Sequence, residues 1–393
     1  MIDKHTSAYK RIMIICGEAS GDLHGANLVH AMRQLDHSLQ FYGIGGNRLH
    51  SAGVNIIYDA RLLSVVGIWE VVSKLPVILK GLRTAKRFIQ HHKPDLLILI
   101  DYPEFNLNVA KFAKKYHVPV LYYISPQIWA WRSERINIIK ARVNHMAVIL
   151  PFEAQFYEAH QVPVTFVGNP LLDKPESEKK QTIATAKFFK HPDTTFIGLF
   201  PGSRESEIYR HLSVMIEAAN RISEQIQNVR FVVPVAPFLN KEIVKKTIKG
   251  LCKKAIIDIT TFSVDKVLPY CSLVIAASGT VTLECAIAGI PMGIIYKMSP
   301  ISYAIGKKLI RVNHVSLVNL IANERIVPEF IQHEANPETI ANWVCHHLRD
   351  DNALKQIKIN LKQLQEKLGQ PGASLRTATI ALQLIHSEKR IYP

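Results

Sequence analysis

The chain has 393 residues, 48% hydrophobic and 20% charged, so it is long enough for two domains and too apolar to be a disordered polymer. Lysine and arginine number 48 against 32 aspartates and glutamates, a formal net charge of +16 that calls for an acidic partner: nucleic acid, an anionic membrane face or a phosphorylated substrate. MIDKHTSAYK at the start lacks the apolar core of a secretory signal, and the longest uncharged stretch, 267–283, contains Pro269, Ser278 and Gly279 and makes a poor membrane span. Cys16, Cys252, Cys271, Cys285 and Cys345 have no ligand spacing and suit reduced thiols of a cytoplasmic protein.

In chain order, near-continuous apolar runs predict strands at 11–16, 95–101, 118–124, 145–150 and 164–168, with helical patterns such as 23–35 and 106–117 between them. Runs of this kind belong to parallel strands buried on both faces. A polar stretch, 173–193, marks a domain edge. A second series follows at 195–200, 230–235, 255–259, 272–277 and 290–296, and from about 337 the pattern is helical only. The expected architecture is α/β, with two Rossmann-like domains in series.

Ligands of such sheets bind beyond the carboxyl ends of the strands, and four junctions there carry chemistry. GEASGD at 17–22 is a tight turn in which Asp22 or Ser20 caps the next helix; an ordinary strand-to-helix turn explains it equally well, and it is not GxGxxG. IDYPEFN at 100–106 puts Asp101 at a strand tip, a good position for a general base. PGSRESE at 201–207 presents Gly202, Ser203 and Arg204 at the start of a helix over about 205–225, where free N–H groups, the dipole and a guanidinium suit a phosphate. SGTVTLE at 278–284 repeats a small-residue turn (Ser278, Gly279, Thr280), with Glu284 one turn into the helix and able to accept from a ribose diol. Two phosphate-type turns in one domain favour a nucleotide diphosphate. No metal constellation, GxSxG elbow or P-loop lysine is present in the sequence.

Residues 64–82, SVVGIWEVVSKLPVILKGL, form a broad apolar stripe that includes Val66, Trp69 and Val72 and is followed by Lys80, Arg83, Lys86 and Arg87. A membrane-interfacial helix and a buried helix, continuous or broken at Pro76, explain it equally well.

Together with SPQIWAWR at 125–132 and SLVNLIANERIVPEFIQ at 316–332, these motifs run in the order of lipid-A-disaccharide synthase, and the chain resembles that family over nearly its whole length. The resemblance implies a GT-B glycosyltransferase: an acceptor- and membrane-facing domain (1–180) and a UDP-sugar-binding domain (181–364) facing a cleft, with a last helix (365–393) returning to the first. It implies inverting transfer of diacylglucosamine from its UDP donor to 2,3-diacylglucosamine 1-phosphate (lipid X), with a β-1,6 bond formed and UDP released. Asp101 matches the base. Gly202, Ser203, Arg204, Ser278, Gly279, Thr280, Glu284, Asn319 and Gln332 fall to the donor, and Glu18, Ser20 and Gly21 to the cleft. No cofactor or metal is required. The resemblance also implies an enzyme peripheral on the cytoplasmic face of the inner membrane, and it allows a homodimer. Asn169, Val318 and Asn323 depart from the family's usual His, Pro and Gly, and no role is assigned to Asn169. The competing readings are a soluble UDP-N-acetylglucosamine 2-epimerase of the same fold and a non-enzymatic basic membrane-binding protein; the absence of an aromatic-basic RNA motif argues against nucleic acid.

Overall fold

The computed structural model describes residues 9–63, 68–173, 182–235, 239–300, 303, 306 and 312–387, with backbone alone for 68–74 and 182. The chain divides into two compact units, 1–173 with 368–393, and 174–367.

The first unit is built on a parallel sheet of β1 (Arg11–Cys16), β2 (Gln40–Gly45), β3 (Asn55–Asp59), β4 (Leu96–Ile100), β5 (Val120–Tyr123), β6 (His145–Val148) and β7 (Val164–Phe166), in the order β3-β2-β1-β4-β5-β6-β7. Side chains alternate between the faces of each strand, and here both faces are buried. Ile12, Ile14, Ile98, Ile100 and Tyr123 lie in one core cluster; Met13, Ile15, Leu97, Leu99 and Tyr122 lie in the other.

The second unit repeats the plan with β8 (Thr195–Phe200), β9 (Val229–Pro234), β10 (Ile257–Thr260), β11 (Leu273–Ala277), β12 (Met292–Tyr296) and β13 (Glu329–Ile331), in the order β10-β9-β8-β11-β12-β13. Three strands were not among those expected from the sequence. β2 carries two glycines: a Cβ on Gly43 would overlap the Ile14 carbonyl, so close strand approach replaces the apolar run. β3 is a half-buried edge strand, and β13 has only three residues.

The final helix, Ala373–Ser387, joins the first unit, packing in the same cluster as the Ala19–Leu35 helix. Its start is anchored by Asp173, whose carboxylate accepts from the N–H groups of Gly372, Ala373 and Ser374 at 2.7, 3.1 and 2.9 Å. Arg376 adds a 2.8 Å bond to the Val167 carbonyl, and Asn169 donates its backbone N–H to the Leu368 carbonyl at 2.9 Å. The Asn169 side chain accepts from Leu171 N–H, so it holds the connection where the chain leaves this unit.

The apolar segment is neither wholly buried nor broken. The Ile68–His92 helix runs unbroken through Pro76. Ile78 and Leu82 pack on the core, whereas Leu75 and Leu79 are exposed. Val66 lies outside the described residues, as do the side chains of Trp69 and Val72. No helix among the described residues is long and apolar enough to cross a membrane.

Candidate functional site

A doubly wound sheet opens a crevice where its strand order reverses. In the first unit that point lies between β1 and β4, and in the second between β8 and β11. The sequence motifs occupy all four strand ends.

Asp101 follows β4 and is half-buried. It and Tyr102 adopt left-handed backbone conformations, φ 46° and 49°, and Ile124 at the end of neighbouring β5 has φ 61°. Such conformations cost non-glycine residues about 1–3 kcal/mol each and persist only where the surroundings over-determine them. The constraint is visible. The Asp101 carbonyl accepts from Asn106 Nδ2 and from Tyr122 Oη, both at 2.6 Å. The Tyr102 ring stacks on Phe105, and its hydroxyl donates to the Leu63 carbonyl at 3.1 Å. A Cβ on Gly17 would overlap that ring, which is why the first glycine turn begins with glycine.

Glu18 and Ser20 are exposed beside this point, and Gly21 is buried against Cys16. The capping expected of Asp22 goes elsewhere. It lies inside the Ala19–Leu35 helix and accepts from Gly46, Arg48 and Leu49 N–H, capping the short Asn47–Ser51 helix. SPQIWAWR packs at the end of β5: Ser125 Oγ bonds Tyr157 Oη at 2.7 Å, and Trp129 Nε1 donates to Glu153 at 3.1 Å. Burial pushes the Glu153 carboxyl up to about 7, against the pull of the Trp129 bond.

In the second unit the PGSR turn is held from two sides. His211 Nε2 accepts from Lys297 N–H at 3.1 Å, so its proton is on Nδ1, which donates to the Pro201 carbonyl at 2.9 Å. Burial holds this imidazole below its ordinary pKa. Glu207 accepts from Ser203 and Arg204 N–H at 2.9 and 3.3 Å and pairs with the Arg204 guanidinium at 3.5 Å. The free N–H groups expected at 203 and 204 are therefore already engaged by the carboxylate of Glu207, three residues beyond the helix's N-cap Arg204. Gly202, at φ 117°, leaves room for that carboxylate.

The neighbouring SGT turn differs. The Thr280–Ile287 helix has no side-chain cap, Gly279 and Thr280 are exposed, and a Cβ on Gly279 would meet nothing within 4 Å. Ser278 Oγ donates to the Val315 carbonyl at 3.3 Å. Glu284 is half-buried, and burial, with Asp265 adding, raises its carboxyl from 4.5 to about 7. The protonated form thus stabilises the fold; that contribution is full below 4.5 and is lost as pH rises through about 7.

Asn319 and Gln332 are placed as loop clamps. Asn319 is fully buried, with both amide atoms bound to Val327 and a further 2.9 Å bond to Glu329. Gln332 pairs with both backbone atoms of Met298. Asn323 takes φ 58°, a conformation open to Asn as to Gly, so that departure keeps the helix end intact. Sequence reasoning passed over Tyr102, Asn106, Tyr122, Glu153, Glu207 and His211. Asn106 closes IDYPEFN and Glu207 sits at capping-box spacing, so those two were legible; the others are recognisable only through their partners.

A family model described as lipid-A-disaccharide synthetase matches residues 12–384. The lipid-A-disaccharide synthase of Geobacter metallireducens is 44% identical over 384 residues, covering 98% of this chain and all of the relative. Among solved structures, the S. aureus MnaA–UDP co-structure superposes with a TM-score of 0.65 at 14% identity, covering 95% of this chain and 97% of that one. The Neisseria meningitidis UDP-GlcNAc 2-epimerase bound to UDP-GlcNAc gives 0.62 at 12%, covering 96% and 100%. At these identities the two structures share the fold alone.

Proposed function

The chain belongs to the lipid-A-disaccharide synthetase family, and on that premise we propose how its own residues divide the work of one glycosyl transfer. It is a GT-B glycosyltransferase of lipid A biosynthesis. The epimerase reading explains the fold equally well; the 44% identity over almost the whole chain decides against it.

The donor is UDP-2,3-diacylglucosamine and the acceptor is 2,3-diacylglucosamine 1-phosphate. The acceptor O6 attacks the anomeric carbon, its proton passes to Asp101, the bond from that carbon to the diphosphate breaks, and UDP leaves with configuration inverted. The first unit supplies the base and the second holds the leaving group. Charge develops on the departing diphosphate, so donors aimed there lower the barrier. The observation that carries the donor half is the uncapped, open start of the Thr280–Ile287 helix, at the strand end adjacent to the turn bearing Arg204. Because Glu207 already engages two N–H groups of that turn, the guanidinium and the second helix start carry most of the phosphate. Asn319 and Gln332 keep the neighbouring loops in place.

Asp101→Ala is expected to retain folding and UDP affinity while losing at least about 100-fold in kcat, as for removal of a general base. Turnover within a few-fold of wild type, measured by UDP release from the two lipid substrates, removes Asp101 from the role.

Glu284 accepts from the ribose diol in this reading, and that requires the ionised carboxylate. UDP affinity therefore strengthens as pH rises from 6 through about 7, where this carboxyl titrates. In Glu284→Gln that part of the dependence disappears. Calorimetric titrations showing the same pH profile in both proteins refute the assignment.

The apolar segment seats the enzyme on the anionic cytoplasmic face of the inner membrane, where both lipid substrates reside. Support comes from the exposed Leu75 and Leu79 beside Lys80, Arg83, Lys86 and Arg87. Replacing Val66, Trp69 and Val72 by Ser should reduce co-sedimentation with anionic vesicles; unchanged binding returns the segment to the core.

A further inference from the structure

We propose that Asn106 and Tyr122 are positioning residues for the transfer, gripping the backbone of Asp101 so that its carboxylate is held out from the strand end. The proposal rests on Asp101 being the base. It goes beyond that assignment by naming the groups that make a strained backbone usable there.

Asp101 ends a buried strand, and the next residue in a regular strand would continue it. Instead the chain turns at once through two left-handed residues in series, Asp101 and Tyr102. Neither is glycine, so local preference opposes this turn. The backbone N–H of Asp101 gives a divided bond, 3.4 Å to the Tyr123 carbonyl and 3.3 Å to that of Ile124. Its carbonyl, by contrast, receives two short side-chain bonds from different elements. Asn106, one turn into the Pro103–Lys115 helix, donates Nδ2 to it and also to the Ile100 carbonyl at 3.2 Å. Tyr122, on β5, donates its hydroxyl.

Both residues are fully buried. Enclosed in this way, they act through the Asp101 carbonyl that they bind. Burial also pushes the Tyr122 hydroxyl well above its ordinary pKa, which keeps it protonated and hence a donor at neutral pH. The amide orientation of Asn106 is fixed by its two carbonyl acceptors, since the flipped amide would set oxygen against oxygen. From the far side, Tyr102 is locked between Phe105 and the Gly17 turn. The backbone that carries the carboxylate is thus held by Asn106 and Tyr122 and, through Tyr102, by Phe105 and the Gly17 turn. A base displaced by about 1 Å can lose on the order of 100-fold in rate, so this grip matters to kcat.

The test uses the full chain with UDP-diacylglucosamine and lipid X, comparing Tyr122→Phe, Asn106→Ala and Asp101→Ala. Each is measured for thermal midpoint, UDP affinity, KM and kcat. The expected result is a fall in kcat of about 10–100-fold in Tyr122→Phe and Asn106→Ala. KM and UDP affinity should stay within about threefold. Tyr122→Phe removes only one hydroxyl and decides the matter alone if Asn106→Ala does not fold. Wild-type kcat in Tyr122→Phe beside an inactive Asp101→Ala overturns the proposal and leaves the base intact. A parallel loss of kcat, UDP affinity and thermal midpoint also overturns it, because the residues are then general supports of the fold. An active Asp101→Ala overturns the base assignment itself, and the proposal with it.

Discussion

A parallel sheet whose strand order reverses must leave a gap at the reversal, because the connections on either side run in opposite directions away from it. This chain contains that reversal twice, at β1/β4 and at β8/β11. Four of the sequence motifs sit at those four strand ends. The apolar strands are the platform. Their burial on both faces fixes where each ends, and so fixes where Asp101, Arg204 and Gly279 stand.

Platform geometry alone does not aim a side chain. That is done by polar side chains hydrogen-bonded to the backbone around the strand ends. Asn106 and Tyr122 hold the backbone beneath Asp101, His211 and Glu207 hold the turn that carries Arg204, and Asn319 with Glu329 holds the loop before β13. The buried donors among them would be costly if left unpaired in the interior. The same bonds that satisfy the core therefore restrict the site, and strain at Asp101, Tyr102 and Ile124 is offset by them.

Much of this could be seen in the residues beforehand. Strands such as DLLILI and SLVIAA announce themselves because they are buried on both sides, and the turn after SLVIAA is short and made of small residues. What escaped notice had weak local signals. β2 is packed through glycine, β3 lies at an edge, and β13 is too short for a pattern. Asp22 looked like the cap of its own helix, but serves another one 24 residues away in sequence, measured to Gly46. Glu207 was visible as a capping residue, yet its occupation of the Ser203 and Arg204 N–H groups is a matter of side-chain direction. Tyr122 reads in the sequence as one more core aromatic; only the neighbouring strand reveals what its hydroxyl does.

The central claim is that the second unit's reversal point holds the leaving diphosphate. A crystal structure of the chain with UDP tests it most directly. The account predicts the diphosphate between the Arg204 guanidinium and the start of the Thr280–Ile287 helix, with the ribose hydroxyls against Glu284. A diphosphate seated instead on the 17–22 turn, or out of reach of both Arg204 and Gly279, contradicts it.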